Sequence, residues 1–238
     1  MHTISKHQRE ERIKKGVFRF LSIKLVMVSS LFIFSLLAFA FIAHEVVYEN
    51  EQFFDNKVFS FFSSLSSPGL IRVMIFFTFF GSSAFILPAY ILLIFCFIVQ
   101  KKFRYGLDIA IIAVSSTVLM LALKEITHRH RPALPLIQGI TNYSFPSGHA
   151  LSAFIFCGIL IYIIRHSLLI PLYKWLCAVL LVCFAITIGI SRIVLRVHFP
   201  TDVIASFCLG ILWAFLSLWV MRMISKKNNF KKQVPNQQ

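Results

Sequence analysis

Charge is scarce in this chain. Only 14% of its 238 residues are Asp, Glu, Lys or Arg, against roughly 25% in soluble domains. A mean hydropathy of +0.80 and 27 phenylalanines exclude an ordinary soluble enzyme and point to an integral membrane protein. Acid is scarcer still: nine Asp and Glu stand against 24 Lys and Arg, with no carboxylate cluster of the kind that holds magnesium. The five cysteines (Cys96, Cys157, Cys177, Cys183 and Cys208) lie in apolar runs without a C-x-x-C pair. They read as small hydrophobes rather than disulfides or metal ligands. No internal repeat or low-complexity tract is present, and the apolar segments leave no room for a separate soluble unit. The chain is expected to form one membrane domain over residues 1–238. A net charge of +15 can signal nucleic-acid binding. Here the basic residues fall in short clusters between apolar spans, as membrane topology requires. The expected partners are therefore membrane lipids and not nucleic acid.

What is there is hydrocarbon in membrane-length runs. A spanning helix needs about 20 residues, and six runs qualify: Leu25–Ala43, Gly81–Val99, Leu107–Leu123, Ser147–Ile164, Trp175–Ile190 and Val203–Met221. The third reaches full length only with Asp108 at the interface. Leu70–Phe80 is too short and follows Arg72, so it reads as an interfacial helix. Together with the aromatic and polar stretch Asn50–Ser67 it predicts a collar over residues 50–80. The fold class is thus all-α: a polytopic membrane protein with six transmembrane helices, and interfacial helices between the first and second spans. Ala38-Phe39-Ala40 resembles a signal-peptidase site, but the apolar run continues past it, favouring an uncleaved anchor. The tail Lys226–Gln238 is polar and expected to fray, with lysines suited to anionic head groups.

Six spans place both ends of the chain on one side. That side carries seventeen Lys and Arg, including the basic residues of 1–21 and of the tail 225–238, and the other carries seven. The excess marks the cytoplasmic side. The expected location is the cytoplasmic membrane, with both termini inside.

Three polar islands interrupt the hydrocarbon, and this topology puts all of them on the outer face. They read Lys124-x6-Arg131-Pro132, Pro146-Ser147-Gly148-His149, and Ser191-Arg192-x5-His198-x3-Asp202. Charges beside membrane spans are costly and usually functional. Lys124, Arg131 and Arg192 supply three cations, and arginine can bind two phosphate oxygens at once. Pro132 is expected to end or kink any helix there. Pro146-Ser147-Gly148 leads into an apolar helix whose first N–H groups can face an anion. Gly148 permits close backbone approach, and Ser147 either caps the helix or donates its hydroxyl to a phosphate. A neutral imidazole can attack phosphorus if an acceptor fixes its tautomer. Asp202, four residues after His198, is placed to do that once Pro200 opens a helix. His149 is then available to protonate the departing oxygen.

Blander readings apply elsewhere. His44 and His166 read as structural, and Arg129 and Arg196 as solvated or lipid-facing charges. His128 and His130, two apart, do not share a helix face, so no metal site is expected there.

The three islands, in this order and between spans, resemble the tripartite signature of the type 2 phosphatidic acid phosphatase superfamily. The layout matches from about Glu51 to Leu216, including the Gly81-Ser82 stretch. The resemblance implies a six-helix membrane phosphatase that acts on lipid phosphates without a metal or other cofactor. It implies a phosphohistidine at His198 supported by Asp202, with His149 as general acid. It also implies Lys124, Arg131, Ser147, Gly148 and Arg192 as phosphate ligands. The implied substrates are undecaprenyl pyrophosphate, phosphatidylglycerophosphate or phosphatidate. A phosphotransferase built on the same phosphoenzyme is the nearest alternative. A lipid-binding or transport protein is a more distant one, because the polar residues cluster at one face instead of lining a path across.

Overall fold

The computed structural model describes residues 6–46 and 52–233. Eight helices carry the described chain: α1 (Lys6–His44), α2 (Phe53–Leu65), α3 (Pro68–Phe79), α4 (Ser83–Val99), α5 (Phe103–Thr127), α6 (Gly148–Arg165), α7 (Pro171–Val194) and α8 (Pro200–Gln233). Six stretches within them are long and apolar enough to cross a membrane. The expected collar is helical: α2 and α3 occupy its described part. A break at Phe80-Gly81-Ser82 separates α3 from α4, so the apolar stretch Pro68–Val99 is two helices and not one.

Local chemistry explains several boundaries. Ser67 caps α3, accepting the Leu70 N–H at 3.2 Å, and Pro68 follows at the first helical position, where its missing N–H costs nothing. Pro171 and Pro200 open α7 and α8 in the same way. No helix reaches Pro132: α5 ends at Thr127, where His128 turns left-handed (φ 48°) and returns its N–H to the Lys124 carbonyl, a helix-ending αL turn. The described part of the tail is helical instead of frayed, since α8 continues to Gln233. Once a span is formed, each further residue adds a hydrogen bond without a new nucleation cost, and the next proline is Pro235.

The packing surrounds α6. Its apolar face (Leu151, Ile155 and Ile159) joins Ile86 and Tyr90 of α4, Ile109 of α5 and Leu209 of α8 in the main core. A smaller cluster of Ala150, Ile193 and Val203 lies beneath α2, against Val58, Phe59 and Phe62. Outward faces stay apolar, as at Leu92, Phe95, Val118 and Leu180, which suits contact with lipid. Gly81 matters for the site: a Cβ there would stand 2.7 Å from Ile188 Cγ2 and 3.1 Å from His149 Cβ. Only glycine lets the α3–α4 turn sit this close to the first turn of α6.

Candidate active site

The third island bridges two helices. Ser191 and Arg192 lie in the last turn of α7, and Asp202 lies in the first turn of α8. His198 falls between the helices, buried. The expectation that His198 precedes the last span and Asp202 opens it is met. Asp202 Oδ2 accepts the Phe199 N–H at 2.9 Å and the Ser144 hydroxyl. His198 Nδ1 is 3.4 Å from the same carboxylate oxygen and 3.4 Å from Ser144 Oγ.

The other ring nitrogen settles the tautomer. His198 Nε2 lies 3.2 Å from Arg131 Nη1. A guanidinium can only donate, so Nε2 is the acceptor and the proton sits on Nδ1, toward Asp202. Burial, with Arg131 and Arg192 adding to it, holds the imidazole down to about 3, and Asp202 only partly opposes this. The ring is therefore neutral at physiological pH, and its contact with Asp202 is a hydrogen bond rather than an ion pair. A neutral imidazole with its lone pair on Nε2 is a nucleophile.

The first island closes over this ring. Lys124, buried in the last turn of α5, donates to the Tyr143 carbonyl and, at 3.5 Å, to that of Ser144. Arg131 donates from Nε to the Asn142 carbonyl at 2.8 Å, and its other donors reach Asn142 Oδ1 and the Val197 carbonyl. Residues 128–131 are not helical, so the helical face pattern of α5 stops before them. His128 and His130 are exposed, whereas Arg129 is buried and Arg131 half-buried.

The second island starts α6. Ser147 occupies the N-cap position but makes no side-chain cap bond, so of the two expected uses of its hydroxyl, capping is absent. Ser147 Oγ is fully buried without a partner. Arg192 on α7 donates from Nη1 to Thr78 Oγ1 at 2.6 Å, while its Nε is unpartnered. Among the described residues only three buried side-chain polar atoms lack a partner, the third being Trp213 Nε1. An unpartnered buried donor is costly, and two of the three belong to candidate phosphate ligands. A Cβ on Gly148 would meet only Met120, at 3.5 Å, so packing alone does not demand glycine there. His149 sits in the first turn of α6, within electrostatic reach of Arg192, His198, Arg131 and Lys124.

Two expectations need correcting. Arg129 is not a solvated charge. It is 9% exposed, pairs with Asp202 Oδ1 through Nη1 and with Asp55 Oδ2 at 2.8 Å through Nη2. Its guanidinium also lies 4.0 Å from the Phe199 ring centroid. Arg196 is half-buried at φ 53° and donates to Ser63 Oγ on α2. With Arg131 it lines a cavity of about 710 Å³ walled by Gln52, Asn56, Phe59 and Ser63 of the collar. The sequence reading also left out Asp55, Thr78, Asn142 and Ser144. The one signal for Arg129 is its two-residue spacing from Arg131 in a segment that leads into Pro132, where extended backbone is favoured.

Comparison with known proteins bears on this constellation. The PAP2 superfamily profile matches residues 105–226, a segment that contains all three islands. The chain belongs to the PAP2 superfamily. Phosphatidylglycerophosphatase B of Bacillus subtilis is 31% identical over 153 residues, covering 64% of this chain and 75% of that protein. An undecaprenyl-diphosphatase of Sulfolobus acidocaldarius is 38% identical over 80 residues, 34% of each chain. Among solved structures, a transmembrane PAP2-type phosphatidylglycerolphosphate phosphatase from Bacillus subtilis superposes with a TM-score of 0.68 at 28% identity. It covers 89% of this chain and 98% of that one. Aquifex aeolicus LpxE gives a TM-score of 0.55 at 27% identity, covering 68% and 93%. This PAP2 protein is a lipid phosphatase of the membrane class, and the expected family, fold and enzyme class stand.

Proposed function

We propose that the protein hydrolyses the terminal phosphate of a membrane lipid mono- or diphosphate, without a metal, through a phosphohistidine on His198. The observation that carries this is the His198 ring: neutral, backed by Asp202 at Nδ1, and aimed by Nε2 at the guanidinium of Arg131. Lys124, Arg131, Arg192, the Ser147 hydroxyl and the N–H groups at Gly148 hold the phosphate oxygens. Nε2 attacks phosphorus while the P–O bond to the lipid breaks, and His149, protonated in the presence of the bound phosphate's negative charge, gives its proton to the departing oxygen. Water then attacks phosphorus while His149 takes its proton; the phosphorus–nitrogen bond breaks, His198 is neutral again, and inorganic phosphate leaves. The seventeen-to-seven split of Lys and Arg supports a site on the outer face of the cytoplasmic membrane, with both termini inside.

Undecaprenyl pyrophosphate, phosphatidylglycerophosphate and phosphatidate are the substrates to test, the first two because relatives carry those activities in their names. Purified protein should release phosphate from at least one of them at full rate in EDTA. The donor set is cationic, and cations replace a metal in neutralising the phosphate. Turnover lost in EDTA and restored by a divalent ion would overturn the metal-free mechanism.

The cavity beside Arg131 favours head groups with a second phosphate, because Arg196 adds a second guanidinium there. Arg196→Gly is a clean probe, since glycine adopts a φ of 53° without strain. It should lower kcat/KM for undecaprenyl pyrophosphate or phosphatidylglycerophosphate about 10-fold, the worth of a modest charge-assisted bond, and leave phosphatidate hydrolysis unchanged. An equal loss on all three lipids would remove Arg196 from substrate selection.

A further inference from the structure

The collar helix α2 reaches the catalytic carboxylate through one buried arginine. Asp55 on α2 and Asp202 on α8 are both 0% exposed, and a carboxylate so deep needs a partner charge. Arg129 serves both at once, donating through Nη2 to Asp55 and through Nη1 to Asp202. The same Nη1 donates to Thr201 Oγ1 at 2.8 Å. Asp55 closes the circuit by accepting the Thr201 N–H at 2.9 Å and its hydroxyl at 2.8 Å. The first turn of α8 is thereby tied to α2. Apolar contact follows the same line: Arg129 covers Phe199, whose ring meets Phe59 of α2 at 5.8 Å. Asp55 and Phe59 are one helical turn apart, so a single face of α2 makes both contacts.

We infer that Arg129 and Asp55 are positioning residues for the reaction, holding Asp202 in place behind the nucleophile and making the docking of α2 a condition for attack. The inference rests on the phosphatase reading only for its kinetic consequence. The electrostatic consequence stands apart from it. His198 is faced by Asp202 from α8, by Arg131 from the α5–α6 loop, by Arg192 from α7 and by His149 from α6. Arg129 balances the charge of Asp202 without touching His198 itself. With Arg129 neutralised, the field of Asp202 at the ring is uncompensated. The imidazolium is then favoured, and His198 binds its proton at higher pH than before.

The test uses the full-length protein in detergent, with Arg129→Gln, Arg129→Lys, Arg129→Ala and Asp55→Asn. Arg129→Gln should lower kcat about 10- to 100-fold with KM little changed, the usual cost of losing an orienting partner. Its kcat/KM should acquire an acid limb about one pH unit or more above that of the wild type, as expected when a compensating charge is removed. Arg129→Lys should fall between, because a point charge cannot bridge two carboxylates. In Arg129→Ala, guanidinium chloride at non-denaturing concentration should restore part of the rate, whereas equal sodium chloride and the urea analogue should not. Asp55→Asn should reproduce the kcat loss in smaller degree. Independently of activity, the carbon-13 signal of labelled His198, assigned with His198→Gln, should titrate at higher pH in Arg129→Gln than in the wild type, with Arg129→Lys between the two because it keeps the charge but cannot bridge both carboxylates. An unshifted titration, or a loss confined to KM without guanidinium rescue, would overturn the inference. If Arg129→Gln fails to fold, Arg129→Lys decides by the same two readouts and Asp55→Asn by kcat. If the wild type releases phosphate from no lipid, the phosphatase reading fails while the titration still judges the link to Asp202.

Discussion

His198→Ala should abolish phosphate release, with kcat/KM reduced by at least about 10,000-fold, in line with removal of the nucleophile from other covalent catalysts. The ring is buried and contacts Arg131, Ser144 and Asp202, so alanine also leaves a cavity. His198→Gln preserves most of the volume and donor capacity, which separates chemistry from folding. Both variants should be inactive, and His198→Gln should keep a melting temperature near that of the wild type in the same detergent. A folded His198→Gln that turns over within about 10-fold of the wild type would remove His198 from the covalent step.

His149→Ala should produce the second largest loss, about 100- to 10,000-fold, the span over which general acid–base groups contribute. Here the size of the defect depends on the leaving group. A lipid alkoxide needs a proton as it departs. A lipid phosphate leaving from a diphosphate needs it less, and nitrophenolate hardly at all. The defect should therefore shrink in that order if the pocket admits all three substrates. The position of His149 depends on Gly81, whose missing side chain lets the α3–α4 turn pack beside it. Gly81→Ala forces Ile188 or His149 to move and should mimic part of the His149→Ala pattern. A His149→Ala defect equal across the three leaving groups would assign the residue to binding instead of proton transfer.

Much of the architecture was legible because the membrane simplifies the code. Hydrocarbon length marks the spans, and Pro200 marks a helix start that the structure reproduces. The placement of His198 before α8 and Asp202 within it follows from Pro200 alone. Other features needed the third dimension. The stop of α5 at Thr127 depends on a left-handed His128, a conformation without a strong sequence signal, five residues before Pro132 could act on a helix. Arg129 read as a surplus charge because its partners, Asp55 and Asp202, are 74 and 73 positions away. The collar residues Asp55 and Thr78 lie far from the islands in sequence, yet each holds an arginine near the site: Asp55 holds Arg129 and Thr78 holds Arg192. Ser147 was ambiguous between cap and ligand until its hydroxyl proved both buried and unpartnered.

The most direct measurement of the central claim is to trap the phosphoenzyme. Purified protein is mixed with lipid substrate labelled in its terminal phosphate, quenched within milliseconds in alkali, where phosphohistidine survives, and digested for mass spectrometry. The account predicts acid-labile phosphate on the peptide containing His198, present in the wild type, absent in His198→Gln and formed slowly in His149→Ala. Labelled phosphate on His149, or trapped in His198→Gln and missing from His149→Ala, would contradict it and reverse the two histidines.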